Sequence, residues 1–268
     1  PSGGKRPDKA ANHSRAAVFW AVIFRNIGEG ARHKRLPGGL QYTREVDKHE
    51  PARQDAKLCA PATEPFMPIT LVIIAIPCIV SFMAFKNSRL MNDLILWPPA
   101  IARQREYHRL VTYGLVHADF SHLLFNMFTL YFFGRAMEPF FSNSLGTFGF
   151  ALFYIGGLVI SILPTYLKNR ANPNYRSLGA SGAVSAVLFA FILLAPWQQI
   201  VVLVIPMPAI VYALLYTGYS IYMDRRGQGN VNHSAHLWGA AYGVIFTLLV
   251  NHRVLPHFLD ALMHPSFR

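Results

Sequence analysis

Six apolar runs fill the chain after residue 66, and short polar joints separate most of them. The runs cover roughly residues 67–85, 121–141, 144–167, 178–195, 200–222 and 235–250. Each is near the length of about 20 residues that a helix needs to cross a bilayer, although the fourth and sixth are short. Lipid offers no partner to a free backbone group, so crossing segments of this kind must be helical. The pattern predicts an all-α membrane protein whose residues 67–250 form a bundle of six transmembrane helices.

The first 66 residues differ from the rest of the chain. They hold 12 of the 25 Lys and Arg residues and 7 of the 13 Asp and Glu residues, and glycine and proline recur among them. We expect a mostly disordered N-terminal extension. Its one apolar patch, residues 16–24, is too short to span a bilayer and would be an interfacial or targeting segment, or part of a weakly structured leader. Residues 251–268 are predicted to form a short C-terminal tail.

The joint at residues 86–120 is longer than the others. It carries charges, isolated apolar residues and the sequence Trp97-Pro98-Pro99. A connection of this length is more often folded than flexible. We expect a structured loop that lies partly in the membrane interface.

Composition agrees with the apolar pattern. The 268 residues are 53% apolar and 14% charged, which is typical of a polytopic membrane protein and not of a soluble domain. The formal net charge is +12, but the basic residues are scattered and form no single stripe, which argues against nucleic acid as a partner. Anionic lipid headgroups are the simpler partner. Cys59 and Cys78 give neither a disulfide framework nor a zinc-ligand spacing.

Four polar residues stand at the starts of the second, fourth and sixth runs, namely His122, Asn126, Ser181 and His236. Even-numbered spans all cross the bilayer in the same direction, so these side chains share one side and a similar depth. His122 and Asn126 are four residues apart and lie on one helix face. Ionisable residues within spans are costly and usually functional. A structural alternative for the first pair is a hydrogen-bonded contact between helices.

Ser181 lies in the small-residue segment 179–183, which reads GASGA. Small neighbours leave its hydroxyl unobstructed, and the start of a helix offers free N–H groups that could stabilise an oxyanion. The alternative is helix packing through Gly179 and Gly182.

His236 precedes a GxxxG stripe formed by Gly239 and Gly243. The stripe permits close approach of another helix and aims the imidazole at it. If that helix is the fourth span, His236 meets Ser181, whose hydroxyl needs a base to become a nucleophile. No acidic residue stands at an equivalent depth, so we predict a two-residue Ser–His unit.

Metal and cofactor chemistry is less consistent with the sequence. The second run lacks the HExxH pattern of zinc peptidases, so we predict no metal and no cofactor. A haem between His122 and His236 is geometrically possible, because both lie on one side. That scheme leaves Ser181 unexplained.

Together these motifs resemble those of the rhomboid intramembrane serine proteases, over about residues 67–250. The resemblance rests on GASGA around Ser181, HxxxN at His122 and Asn126, and AHxxGxxxG at residues 235–243. Arg109, His117 and Glu138 are supporting matches. The resemblance implies that Ser181 is the nucleophile and His236 the general base. It also implies that His122, Asn126 and the Ser181 N–H bind the oxyanion.

The resemblance further implies that the fifth span and residues 86–120 control substrate entry. Pro206 and Pro208 would then weaken a helix over residues 200–222 and make it movable. Two positions depart from the family pattern. His108 stands where the loop signature often has tryptophan, and Ser185 stands where some members have a tyrosine stacked on the catalytic histidine. We therefore expect His236 to be held differently or more loosely.

The implied function is an intramembrane serine endopeptidase that cleaves transmembrane segments of single-span or polytopic proteins within the lipid bilayer. The expected location is a bacterial inner membrane, with the site open to the non-cytoplasmic face. Ten Lys and Arg residues flank the site side and six the other side, which by the positive-inside rule alone would orient the site to the cytoplasm. The alternatives are an inactive rhomboid-like binder of membrane proteins and a haem-binding or transport protein.

Overall fold

The computed structural model describes residues 68–202, 205–227, 229 and 231–265, so the predicted N-terminal extension lies outside the described residues. Most of the described chain is helical. The elements are α1 Ile69–Lys86, α2 Ser88–Leu94, α3 Pro98–Gln104, α4 Arg109–Thr112 with a 3₁₀ turn Tyr113–Leu115, α5 Phe120–Thr129, a π turn Leu130–Gly134, α6 Arg135–Leu145, α7 Gly149–Asn169, α8 Ser181–Leu194, strands β1 Gln199–Val202 and β2 Ile205–Pro208, α9 Ala209–Arg226, α10 His233–Val250 and α11 Val254–Met263.

Helix α8 is the centre of the bundle, and most of its residues are buried against neighbouring helices. Its sequence is apolar or small on every side, as expected for a helix surrounded by others. Helix α10 approaches it so closely that a Cβ atom on Gly239 would lie 2.0 Å from the Gly182 carbonyl oxygen. A Cβ atom on Gly243 would lie 2.2 Å from the Ala186 carbonyl oxygen. Only glycine permits these backbone contacts.

Helix α1 is anchored at its start by Glu138 on α6. The carboxylate accepts hydrogen bonds from the backbone N–H of Ile69 at 2.6 Å and of Thr70 at 3.0 Å, and from the Thr70 hydroxyl at 2.6 Å. The N-cap residue, Pro68, has no side-chain acceptor of its own. Glu138 therefore satisfies backbone donors that the first turn of a helix leaves free.

Three described helices, α1, α7 and α10, are long and apolar enough to cross a membrane, judged by length and composition. Large apolar side chains face outward from α1, including Ile79, which is 61% exposed, and Met83, which is 58% exposed. An outer surface of this kind suits lipid. Helices α8 and α11 are apolar but shorter. The protein is thus a mostly helical membrane protein, and helix length alone does not yield the predicted six crossings.

The predicted helix over residues 200–222 is wrong in its first third. The chain instead forms an antiparallel hairpin of β1 and β2, in which Val201 pairs with Pro206, and α9 begins only at Ala209. Proline lacks an N–H donor and drives the residue before it into an extended conformation. Pro206 and Pro208 therefore set the hairpin and the helix start, and the expectation that they weaken a helix from within was also wrong.

The predicted C-terminal tail includes a packed helix, α11. The Trp197 indole donates a hydrogen bond to the Ala261 carbonyl at 2.8 Å, and the His257 ring donates one to the Leu194 carbonyl at 3.0 Å. Val254 is fully buried. Helix α11 therefore covers the C-terminal end of α8.

The segment at residues 86–120 is folded, as predicted. Arg109 is buried, pairs with Glu106 and donates to the carbonyls of Asn92 at 2.7 Å and Ile95 at 2.8 Å. Leu96 and Ser177 exchange backbone hydrogen bonds of 3.0 and 3.2 Å. Arg109 thus holds the loop together, and the loop in turn supports the extended segment around Ser177 that leads into α8.

Candidate active site

Ser181 is the first residue of α8, and the turn that delivers it depends on Gly179. Gly179 has φ +101°, and a Cβ atom there would lie 2.5 Å from Cε1 of His122. Its N–H donates to the Tyr113 carbonyl at 2.9 Å. Gly179 was predicted to pack helix against helix, but it precedes α8 and packs against the His122 ring instead. Gly182, Gly239 and Gly243 do lie at helix contacts.

Ser181 and His236 are hydrogen-bonded, with 2.7 Å between Oγ and Nε2. His236 lies in the first turn of α10, which begins where the Asn232 side chain accepts a hydrogen bond from the Ala235 N–H at 3.0 Å. The contact of Gly239 with Gly182 brings the two helix starts together. The Ser181 hydroxyl can donate to Nε2 when the ring carries its proton at Nδ1.

Aromatic rings, not a carboxylate, surround His236. Within the described part of the chain, the His236 side chain is hydrogen-bonded to Ser181. The Tyr216 ring lies near-parallel to the imidazole, with 6.0 Å between centroids and 20° between planes. The His233 ring meets it edge-on at 5.7 Å. Sequence reasoning missed Tyr216, although Tyr212, Tyr216 and Tyr219 are spaced as one face of a helix.

His122 and Asn126 lie in the first turns of α5. Asp119 caps this helix by accepting the His122 N–H at 2.8 Å. The buried Asn126 amide donates one N–H to the His122 carbonyl at 3.0 Å, which leaves its second N–H available. The His122 ring packs against Gly179 and, edge-on at 5.0 Å, against His117.

The four polar residues predicted from the sequence all line one cavity of about 910 Å³. Its wall includes Phe125 on α5, Leu188 on α8 and Tyr216 on α9. This volume is within the range of ligand-binding sites. No side chain caps α8, so the N–H groups of its first turn keep the positive end of the helix at this cavity. The cavity thus combines a hydroxyl, an imidazole and several hydrogen-bond donors.

His117 lies beneath this site and plays a structural part. The fully buried ring contacts the Ser81 hydroxyl at 3.0 Å through Nδ1, and the Ala180 N–H donates to Nε2 at 3.5 Å. Burial lowers the pKa of His117 to about 3; neighbouring His122 acts in the same direction and Asp119 opposes it. The ring is therefore neutral and packs under the start of α8.

Among the described residues, no three or more His, Cys, Asp or Glu side chains lie close enough together to hold a metal ion. His122 and His236 lie in the same cavity, but Ser181 already occupies Nε2 of His236. A haem between the two histidines would have to displace that hydrogen bond.

Comparison with protein families matches residues 104–253, more than half of the chain, to the Rhomboid domain. This chain belongs to the rhomboid family. The matched region begins at the end of α3 and includes every polar residue of the cavity described above. Arg109 and His117 also lie within it, and Glu138 as well.

Relatives come from several compartments. The chain is 28% identical over 187 residues to "RHOMBOID-like protein 12, mitochondrial" of Arabidopsis thaliana, covering 65% of this chain and 55% of that protein. It is 26% identical over 164 residues to "Putative rhomboid protease YdcA" of Bacillus subtilis, covering 59% and 77%. It is 32% identical over 162 residues to "Rhomboid-like protein 11, chloroplastic" of Arabidopsis thaliana, covering 54% and 53%.

The chain therefore spans about half the length of the mitochondrial and chloroplast relatives. Because the relatives are bacterial, mitochondrial and chloroplastic, they do not single out the bacterial inner membrane that the sequence analysis predicted. They support membership of a membrane-embedded family.

Proposed function

We propose that this rhomboid is an intramembrane serine endopeptidase in which Ser181 is the nucleophile and His236 the general base. The observation that carries the proposal is the 2.7 Å contact between Ser181 Oγ and His236 Nε2 at the wall of a polar cavity. An unactivated serine hydroxyl is a weak nucleophile, and a hydrogen-bonded imidazole is the common means of activating it.

The reaction proceeds in two steps. Ser181 Oγ attacks the carbonyl carbon of the scissile bond while His236 Nε2 takes its proton, and the imidazolium then gives that proton to the leaving amine. Water, deprotonated by His236, hydrolyses the acyl-enzyme and regenerates the Ser181 hydroxyl. Water and the two side chains account for every proton and bond in both steps, which need no metal or cofactor.

The developing oxyanion would be stabilised by groups already on this wall of the cavity. The uncapped N–H of Ser181, the free N–H of Asn126 and the His122 ring are the donors available. Donors that are fixed before the reaction cost no reorganisation when charge develops. The bond from Asn126 to the His122 carbonyl fixes the amide in this way.

The proposed substrates are transmembrane segments of single-span or polytopic membrane proteins. Residues of both α5 and α9 line the cavity, and a substrate chain would enter between these two helices. A helical peptide bond is shielded by its own backbone hydrogen bonds, so the substrate must unwind near Ser181. In this proposal α1, α5 with α6, α7, α8, α9 and α10 are the six crossings of one membrane domain at residues 67–250. Its cavity opens to the non-cytoplasmic side.

Cleavage of a single-span substrate in liposomes tests the proposal. Wild type should cut the substrate and react with a fluorophosphonate, whereas Ser181→Ala and His236→Ala should remain folded and lose cleavage. In a soluble serine protease, removal of either group costs roughly 10⁶-fold in kcat. Undiminished cleavage by either variant would refute the Ser–His pair.

A wild type that binds the substrate without cleaving it or reacting with the fluorophosphonate would instead indicate an inactive rhomboid-like binder. A Soret absorption band that His122→Ala abolishes would indicate haem binding.

A further inference from the structure

Tyr216 is the aromatic residue whose ring lies near-parallel to the imidazole of His236. Its ring is buried, with 5% exposure, and nearly parallel to the imidazole at 6.0 Å between centroids. Tyr216 belongs to α9, whereas His236 belongs to α10 and Ser181 to α8. Three separate helices therefore meet at this one contact.

Two hydrogen bonds fix the Tyr216 ring to α8. The Ser185 hydroxyl donates to the Ser181 carbonyl at 2.8 Å, so its oxygen is free to accept the Tyr216 hydroxyl proton at 2.7 Å. Ser185 is four residues after Ser181 and lies one helical turn below it. The tyrosine is thus tied through Ser185 to the backbone of the residue that carries the nucleophilic hydroxyl.

A second tyrosine–histidine contact lies three residues away on each helix. Tyr219 meets His233 edge-on, with 5.6 Å between ring centroids. Helices α9 and α10 are joined by a short connection, and the two contacts follow one antiparallel register. Side-chain rings therefore fix how α9 lies along the start of α10.

We propose that Tyr216 is a positioning residue that holds the imidazole of His236 in line with Ser181, and that Ser185 holds Tyr216 in place. The inference rests on the proposed function. No carboxylate is bonded to His236 in the described part of the chain, so the contact with the Tyr216 ring orients the imidazole instead. It also couples the site to α9, because displacing that helix removes the ring from His236.

The rival explanation is that Tyr216 is an ordinary core aromatic residue. Tyr212 provides the matched control, because it is a buried tyrosine one turn earlier on the same helix, with a hydroxyl that has no partner in the described structure. Its ring contacts Tyr216 at 5.6 Å but is not among the residues that line the cavity. Tyr212→Ala removes equal bulk from α9 and leaves the contact with His236.

The first test is NMR of the ring protons of histidine in detergent-solubilised protein, with His236 assigned from its loss in His236→Ala. A tyrosine face shifts nearby protons upfield, so we expect the His236 signal to move downfield in Tyr216→Ala. It should stay near its wild-type position in Tyr216→Phe and Tyr212→Ala. An unmoved signal in folded Tyr216→Ala would overturn the inference, whether or not the chain cleaves substrate.

The second test is the rate constant for fluorophosphonate labelling of Ser181. A misplacement of about 1 Å in a catalytic group can cost about 100-fold, so Tyr216→Ala should slow labelling by about 10- to 100-fold. Tyr216→Phe, which loses only a hydrogen bond, should slow it by about fivefold at most. Equal rates for Tyr216→Ala and Tyr212→Ala would overturn the positioning role.

A double variant tests the geometry further. Ser185→Tyr in the Tyr216→Ala background supplies a ring from α8 to the space that the missing ring leaves. Recovery of the labelling rate would support stacking as the cause, and a folded double variant without recovery would count against it. If wild type itself fails to react, the proposed function fails, whereas the NMR comparison still decides whether Tyr216 packs against the His236 ring.

Discussion

The two sides of the candidate site are held together by different means. On one side, α8 and α10 touch backbone to backbone at Gly182, Gly239 and Gly243. On the other side, α9 packs mainly along α10 and touches α8 at few positions, chiefly through tyrosine side chains. Backbone contacts leave no room for adjustment, whereas ring contacts can separate and re-form. The contact of α8 with α10 therefore sets the separation of the two helix starts, whereas in our proposal the rings of α9 set the orientation of His236.

The prediction with the largest expected effect concerns the backbone contact between α8 and α10. Gly239→Val would drive a side chain into the Gly182 carbonyl, which lies 2.0 Å from the position of a Cβ atom. Overpacking of a well-packed core commonly costs about 1–3 kcal/mol, and a clash with backbone is at the upper end or beyond. We expect a lowered unfolding temperature and loss of cleavage together.

Gly218→Val is the matched control on α9, because nothing lies within 4 Å of a Cβ atom at that position. It should leave the unfolding temperature nearly unchanged. Equal destabilisation by the two valines would contradict the distinction between the sides.

A second prediction concerns Asn126, whose amide is fixed within α5 by its hydrogen bond to the His122 carbonyl. Asn126→Ala should lower kcat for cleavage, by roughly 100- to 1,000-fold at most, as for one oxyanion donor in a soluble protease. The unfolding temperature should change little compared with Gly239→Val. Full activity in this variant would remove Asn126 from the proposed oxyanion site.

The smallest predicted effect is a dependence of stability on pH through His117. Its pKa is lowered to about 3 in the folded protein by burial, while the ordinary value is 6.5. Above pH 6.5 both folded and unfolded states are neutral and the full stability is present. As pH falls towards 3 the unfolded state binds a proton that the folded state does not, so stability decreases, by about 2 kcal/mol at pH 5.

Thermal unfolding in detergent at pH 7.5, 6 and 5 measures this effect. His117→Asn should lower stability at pH 7.5 and flatten the decline between pH 7.5 and 5. Parallel curves for wild type and variant would show that another group causes the decline.

The sequence predicted the parts of the site that depend on depth and spacing. Ser181 and His236 stand at the same ends of helices that run in the same direction, and the Gly239 stripe brings those helices into contact. Both features follow from counting residues and spans. Their catalytic roles stay a prediction until cleavage is measured.

The predictions from the sequence were wrong or incomplete where the structure depends on which helices are neighbours or on local backbone conformation. The run at residues 200–222 is apolar throughout, so hydropathy could not separate the hairpin from α9, although Pro206 and Pro208 gave the signal. Gly179 was assigned to a helix because its φ of +101° is invisible in composition. The contact of Tyr216 with His236 depends on which helix neighbours α10, and spacing along one chain does not encode that.

The carboxylate of Glu138 has a consequence for how the two ends of the bundle are separated. Helix α1 runs from Glu138 to Ser81, whose hydroxyl bonds the Leu115 carbonyl just below the start of α8. Helix α1 accordingly begins at the end of the bundle remote from Ser181, because Ile69 and Ser81 lie roughly 18 Å apart along the helix at 1.5 Å per residue. In our proposal that end faces the aqueous compartment opposite to the mouth of the cavity, so substitutions at the Glu138 anchor would loosen α1 without touching the Ser–His pair.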